Sequence, residues 1–225
     1  MNKKQLWFMV IFTVVGLACL QVPVIQLVGS KAQFTLFDVF GPVATGFIGT
    51  IPGLIAVALM ELINFFWHGS QVLDAGTVVR FFPMLAGALY FGRKSRWTLL
   101  IPVAAIIAFN LDPVGRSAWV YSLLWLIPIA CYFLYDKFLY TRALGATFTA
   151  HAVGGAAWVY VFHLTRAIWL GLIPVVLEER LVFAAGIALT YLLLANVLNY
   201  LAERKVITLP FSLDSRYLWR KAKAA

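Results

Sequence analysis

The feature that most constrains this chain is the placement of its basic residues: nearly every Lys and Arg lies between long apolar runs, in short clusters. A run of roughly 20 apolar residues is the length of a helix that crosses a bilayer, and basic clusters between such runs collect on the cytoplasmic side. Composition agrees with lipid as the main solvent. Of the 225 residues 63% are hydrophobic and 12% charged, too few charges to cover a water-soluble surface of that size. The net charge of +9 is then a signal of membrane orientation, and no nucleic-acid partner is expected.

Apolar runs fall at about 6–28, 36–48, 50–67, 77–91, 97–110, 117–135, 143–163 and 179–202. The stretch 36–67 is long enough for one tilted helix or for two short ones meeting near Gly49, Pro52 and Gly53. Charge decides for two. With the run split, Lys3, Lys4, Arg93, Lys94, Arg96, Lys137, Arg142 and the tail from Arg204 onwards share one side, which is 13 of the 18 basic residues. The other side keeps Lys31, Arg80, Arg116, Arg166 and Arg180. The expectation is an all-α, polytopic helical membrane protein of about eight segments, multi-pass in the cell membrane with both termini cytoplasmic. Residues 1–203 form one transmembrane domain and 204–225 a cytoplasmic basic tail. The N-terminal run lacks the aliphatic residue three before Cys19 that a lipoprotein signal needs, and it continues apolar to Leu27, so it is expected to be an uncleaved span. Cys19 and Cys131 both lie inside apolar runs and are expected to be packing residues. Gly49 and Gly53, and Ala146, Ala150 and Gly154, are spaced by four and mark faces where helices pack closely.

Ionisable groups inside membrane segments cost roughly 2.5–3.5 kcal/mol each on insertion scales, so each one is a candidate site residue. The outward half of the threaded chain is rich in them. Glu61, Asn64 and His68 share one helix face by their spacing, beside Trp67. Arg80 sits between Val79 and Phe81 and needs a carboxylate partner or an anionic ligand. Asp112 and Arg116 lie in the turn after Asn110, His151 stands on a helix of small residues, Trp169 precedes the last run and Glu179 opens it. Both charge signs, amides, imidazoles and indoles together suit a hydrated pocket for a small, partly aromatic solute. The substrate-binding candidates are therefore Glu61, Asn64, Trp67, His68, Arg80, Asp112, Arg116, His151, Trp169 and Glu179. No metal-ligand spacing connects His68, His151 and His163, no Walker sequence or serine-nucleophile motif is present, and no cofactor is expected. The pair Glu178-Glu179 is similar to the paired glutamates of intramembrane CAAX-type proteases, but Phe183 stands where that pattern has an arginine.

The stretch Phe37-Asp38-Val39-Phe40-Gly41-Pro42-Val43-Ala44-Thr45-Gly46, continued by Gly49 and Gly53, resembles the second and third helices of the substrate-binding S components of energy-coupling factor (ECF) vitamin transporters. Arg80 to Gly92, with its basic cluster behind, looks like their fourth helix. Thr149-Ala150-His151-Ala152-Val153-Gly154-Gly155 looks like their histidine- and glycine-bearing fifth. The resemblance implies a six-helix core that captures a small water-soluble, vitamin-like compound, energised by a transmembrane coupling subunit and an ATPase pair. The region 97–135 adds a pair of segments to that pattern, and the run 6–28 lacks the family's Ala-x-x-x-Ala docking motif. Two other functions fit the same residues: an intramembrane enzyme using Glu178, Glu179 and a histidine, and an accessory membrane protein without a solute.

Overall fold

The computed structural model describes residues 3–26, 33–67 and 75–219, with the backbone alone given for 26 and 75–80. The described chain is almost wholly helical. Helix α1 (Lys3–Leu20) leads to a short antiparallel hairpin of β1 (Pro23–Gln26) and β2 (Gln33–Thr35), followed by α2 (Phe37–Ile48), α3 (Thr50–Trp67) and α4 (Ala75–Gly92). A 3-10 turn at Arg96–Leu99 opens α5 (Leu100–Leu111). Two short helices, α6 (Pro113–Ser117) and α7 (Trp119–Ser122), turn the chain into a 3-10 stretch Leu123–Leu126 and α8 (Ile127–Leu134). Two long helices, α9 (Leu139–Phe162) and α10 (Arg166–Glu203), complete the bundle.

Three of these, α1, α3 and α10, are long and apolar enough to cross a membrane, and α2, the second part of α4, α5 and the 119–134 stretch are shorter apolar helices. Large apolar side chains such as Ile51, Phe66, Phe133, Val182 and Leu189 are exposed on the outside of the bundle. That surface is compatible with a membrane location, because water would penalise it at about 25 cal/mol per Å².

The breaks between elements have local causes. Gly49 adopts φ +95°, a conformation that favours glycine, and so separates α2 from α3 as the charge pattern required. Gly53, one turn later, lets α3 pass against α2 so closely that a Cβ there would lie 2.5 Å from Thr45 Cα. The first run ends earlier than its hydropathy indicates. The helix stops at Leu20, and Val22 to Gln26 turn into the hairpin, where the Leu36 N–H donates to the Val22 carbonyl. Pro23 explains the stop, since it lacks an N–H and disfavours helix in the residue before it. The last run departs in the other direction: α10 begins at Arg166, not near 179, and carries Pro174 within it. Its 38 residues span about 57 Å at 1.5 Å per residue. His163, at φ 47°, ends α9, and the Thr165 hydroxyl accepts from the Ile168 N–H to start α10.

Two apolar cores fill the bundle. One joins α1 to α4 with the lower parts of α9 and α10, through Phe12, Phe47, Val57, Phe91 and Tyr191. At that end the last carbonyl groups of α4 find donors: Arg142 Nε and the Tyr135 hydroxyl both donate to Phe91 O at 2.6 Å. The segment 204–219 folds back over the same end, with Phe211 edge-on to Phe8 and Asn196 holding both Tyr217 O and the Trp219 N–H. Within the segment, hydrogen bonds from Arg216 hold the Asp214 carboxyl below the usual aspartate range, so this local ion pair is formed at neutral pH and weakens only in acid. The N-terminal helix and this segment thus meet at one end of the bundle. The second core packs the 97–135 pair against α9 and the early turns of α10, through Phe109, Tyr121, Trp125, Phe148 and Trp169.

Candidate functional site

A cavity of about 310 Å³ opens among the helices at the end opposite the Phe8–Phe211 contact. Small-molecule sites run from ~300 to 1,000 Å³, so this one matches a small ligand. Its walls come from most of the fold. The hairpin contributes Gln33 to Thr35, the start of α2 Asp38, the late turns of α3 Glu61 and Asn64, and the short helix α7 Tyr121. The upper part of α9 supplies His151, Gly154 and Trp158, and α10 supplies Trp169, Glu179 and Arg180.

Arg180 is the one cation among the described residues that line this cavity. It is 4% exposed, lies 3.4 Å from Glu179 Oε2 and donates to the Thr147 hydroxyl at 3.3 Å. Phe34 from the hairpin and Phe183 from the next turn cover its guanidinium at 4.5 and 4.7 Å. Its Nε–H has no acceptor among the described residues, and neither has the indole N–H of Trp169, which is 1% exposed. Buried donors left without acceptors are uncommon in folded proteins because each costs about 1–3 kcal/mol. Across the cavity Asp38 accepts from the Thr35 N–H at 2.8 Å, and Asn64 accepts from Gln21 at 3.1 Å.

His151 holds a defined tautomer. The Trp125 indole, which is only a donor, gives its N–H to His151 Nδ1 at 3.0 Å, so Nδ1 carries no proton. The proton therefore sits on Nε2, which faces the Tyr121 oxygen at 3.0 Å and donates to it. Tyr121 is then left with its own hydroxyl hydrogen to give, and it lines the cavity. Gly155 makes this possible: a Cβ there would stand 2.7 Å from the Trp125 ring. Replacing His151 with Phe keeps the ring volume but strands the fully buried Trp125 N–H, and is expected to lower stability by about 2 kcal/mol. A thermal melt of the detergent-purified variant checks this, and an unchanged midpoint would show that the indole N–H needs no acceptor.

The structure brings five of the sequence candidates to this one cavity: Glu61, Asn64, His151, Trp169 and Glu179. Three lie elsewhere. Trp67 ends α3 with its ring 76% exposed. Asp112 caps α6, accepting from the Val114 and Gly115 N–H groups, a role set by Pro113 behind it. Arg116 donates back to the carbonyls of Asn110 and Leu111 and so closes the same turn. His68 falls outside the described residues, and for Arg80 only the helical backbone is described. Sequence reasoning counted Asp38 and Arg180 in the outward polar half without naming them as substrate-binding candidates, and passed over Tyr121. The signal for Arg180 was its position inside an otherwise apolar helical pattern. For Tyr121 and Trp125 it was their spacing of four residues, which puts two polar-tipped rings on one face. The paired glutamates separate, since Glu179 lines the cavity while Glu178 is exposed on another side of α10. Among the described residues no three His, Cys, Asp or Glu side chains gather as a metal-holding group.

No family model matches the chain, and no solved structure matches it. The chain is similar to Uncharacterized protein MJ0923 of Methanocaldococcus jannaschii, at 27% identity over 205 residues, covering 80% of this chain and 67% of that protein.

Proposed function

We propose that this chain is a multi-pass protein of the cell membrane that captures a small, water-soluble, partly aromatic compound in the cavity between α3, α7, α9 and α10. The observation that carries the reading is a largely apolar cavity lined by Arg180, Trp169 and Tyr121, where the Arg180 and Trp169 side chains each carry a buried N–H without an acceptor among the described residues. A bound solute supplies those acceptors, which accounts for a polar arrangement that costs stability when empty. In this reading the cavity opens outward, and both termini lie in the cytoplasm at the opposite end, where most of the Lys and Arg residues collect. The motif resemblance to S components of ECF transporters supports uptake, with release into the cell driven by a coupling subunit and an ATPase pair that are separate chains. Tyr121 gives the 97–135 pair a part in this reading, as one wall of the cavity.

The test is a thermal-shift screen of the full-length protein in detergent against water-soluble vitamins, their precursors, and related heterocycles and amino acids. A selective, saturable rise in melting temperature is expected, about 2.7 kcal/mol of added stability at a hundred times the Kd. A flat response across the screen, with the protein folded, would remove solute capture as the reading of this cavity.

A further inference from the structure

The cavity sorts its hydrogen-bonding groups by type. The α7–α10 side is lined by Trp169 and Arg180, more than nine-tenths buried, whose indole N–H and Nε–H have no acceptor among the described residues, and by Tyr121, whose oxygen is already taken by His151. On the α2–α3 side stand two carboxylates. Asp38 accepts one backbone N–H, and Glu61 has no hydrogen-bond donor among the described residues. Arg180 is offset by Glu179 close by and also attracts Asp38 across the cavity, so the two carboxyl groups Asp38 and Glu61 have no further described cation between them. The remaining lining includes the aromatic residues Phe34, whose ring also covers Arg180, and Trp158, which stacks on Phe162. A site of this kind demands a ligand with acceptors at one end and a positively charged donor at the other, since a mismatched end would leave buried groups unpaired.

We propose that the solute is a small ring-bearing zwitterion. Its carboxylate or carbonyl accepts from Trp169, Arg180 and Tyr121; its protonated nitrogen lies against Glu61 and Asp38; its ring packs against the aromatic wall. This rests on the reading of the cavity as a solute site and adds the charge pattern of the solute. An anion fails at the carboxylate side, and a simple cation leaves the donor side empty.

Calorimetry on the full chain in detergent tests it with four probes on one ring: tryptophan as zwitterion, tryptamine as cation, indole-3-propionate as anion and indole as neutral compound. The same charge series on a phenyl and on a pyridine ring covers differences in ring size. On at least one ring the zwitterion is expected to bind tenfold or more tighter than the other three. Trp169→Phe is expected to weaken the zwitterion about tenfold while leaving the cation's affinity within twofold. Glu61→Gln is expected to shrink the zwitterion's advantage over the anion by a similar factor. Equal or tighter binding of the anion or neutral probe in the unmodified protein overturns the proposal. So does silence from all three series when another compound in the thermal-shift screen binds, an outcome that leaves solute capture standing. Silence from every compound in both experiments overturns capture and zwitterion together.

Discussion

Arg180→Met is expected to weaken solute binding roughly tenfold to a hundredfold and, unlike most site substitutions, to destabilise the empty protein as well. Its guanidinium is held between Glu179, Thr147, Phe34 and Phe183 with almost no exposure to solvent. Removing one member of a buried ion pair leaves the other charge uncompensated, at a cost of about 3 kcal/mol or more. Losing a charge-assisted hydrogen bond to the ligand removes a further ~1.5–3 kcal/mol of binding energy, a fall in affinity of roughly tenfold to a hundredfold. The two effects separate in a double variant. Adding Glu179→Gln to Arg180→Met is expected to return much of the melting temperature, because the stranded carboxylate is gone, without returning binding. If the double variant recovers both, Arg180 holds the fold and not the ligand.

Gly53→Val is expected to prevent assembly of the bundle's first core. A Cβ at this position meets Thr45 Cα at 2.5 Å and Thr45 N at 2.7 Å, and backbone atoms cannot turn aside as a side chain does. Pushing α3 off α2 also disturbs Thr45, whose hydroxyl donates to Ala88 O at 2.8 Å and so ties α2 to α4. Overpacking of this kind costs about 3 kcal/mol or more when no rotamer relieves it, enough to remove most of the folded protein. Gly171 on α10 is the control, because a Cβ there meets nothing within 4 Å, and Gly171→Ala is expected to be neutral or to stabilise by about 0.5–1 kcal/mol. Monodisperse yield on size-exclusion chromatography and the melting temperature read both variants. Similar behaviour of the two would mean that the α2–α3 approach is not tight.

The contrast between these glycines shows which parts of the fold were legible in the sequence. Gly49 and Gly53 signalled a break and a close approach, and the distribution of Lys and Arg selected the two-helix solution that Gly49 makes with its positive φ. The segments from 77 to 163 appear as helices close to their apolar runs, because hydropathy and helix length report the same burial. Hydropathy misled where polar residues lie within a helix. Arg166, Glu178, Glu179 and Arg180 made the start of α10 look like an outer loop, yet these residues and Pro174 belong to one continuous helix. At Leu20 the error ran the other way, since Val22, Val24 and Ile25 are as apolar as a helix but enter a hairpin after Pro23.

For the cavity, residue type was legible and partnership was not. Glu61, His151, Trp169 and Glu179 were singled out as ionisable or aromatic groups in apolar surroundings, and the structure places all four on one wall system. Asp112 and Arg116 carried the same signal for a different reason, since a turn with Pro113 at its start also needs a cap and a donor to its carbonyls. Distinguishing a cap from a ligand-facing carboxylate requires knowing which backbone N–H groups stand within reach, which spacing alone does not supply. His151 shows the same limit from the other side. Its small neighbours suggested room beside it, and Ala150, Gly154 and Gly155 do line the cavity with it, but Gly155 also makes room for Trp125, and both ring nitrogens of the histidine are taken by Trp125 and Tyr121, partnerships that spacing did not show.

The most direct measurement is to purify the full-length protein in mild detergent, extract it with denaturing solvent and identify any retained small molecule by mass spectrometry, alongside Arg180→Met as the binding-defective reference. The account requires one compound, ring-bearing and water-soluble, at close to one per chain in the unmodified protein and absent from the variant, or the same ratio restored when a compound from the thermal-shift screen is added before washing. Equal amounts in both proteins, or no compound retained even after addition, would contradict the claim that this cavity is built to hold a solute.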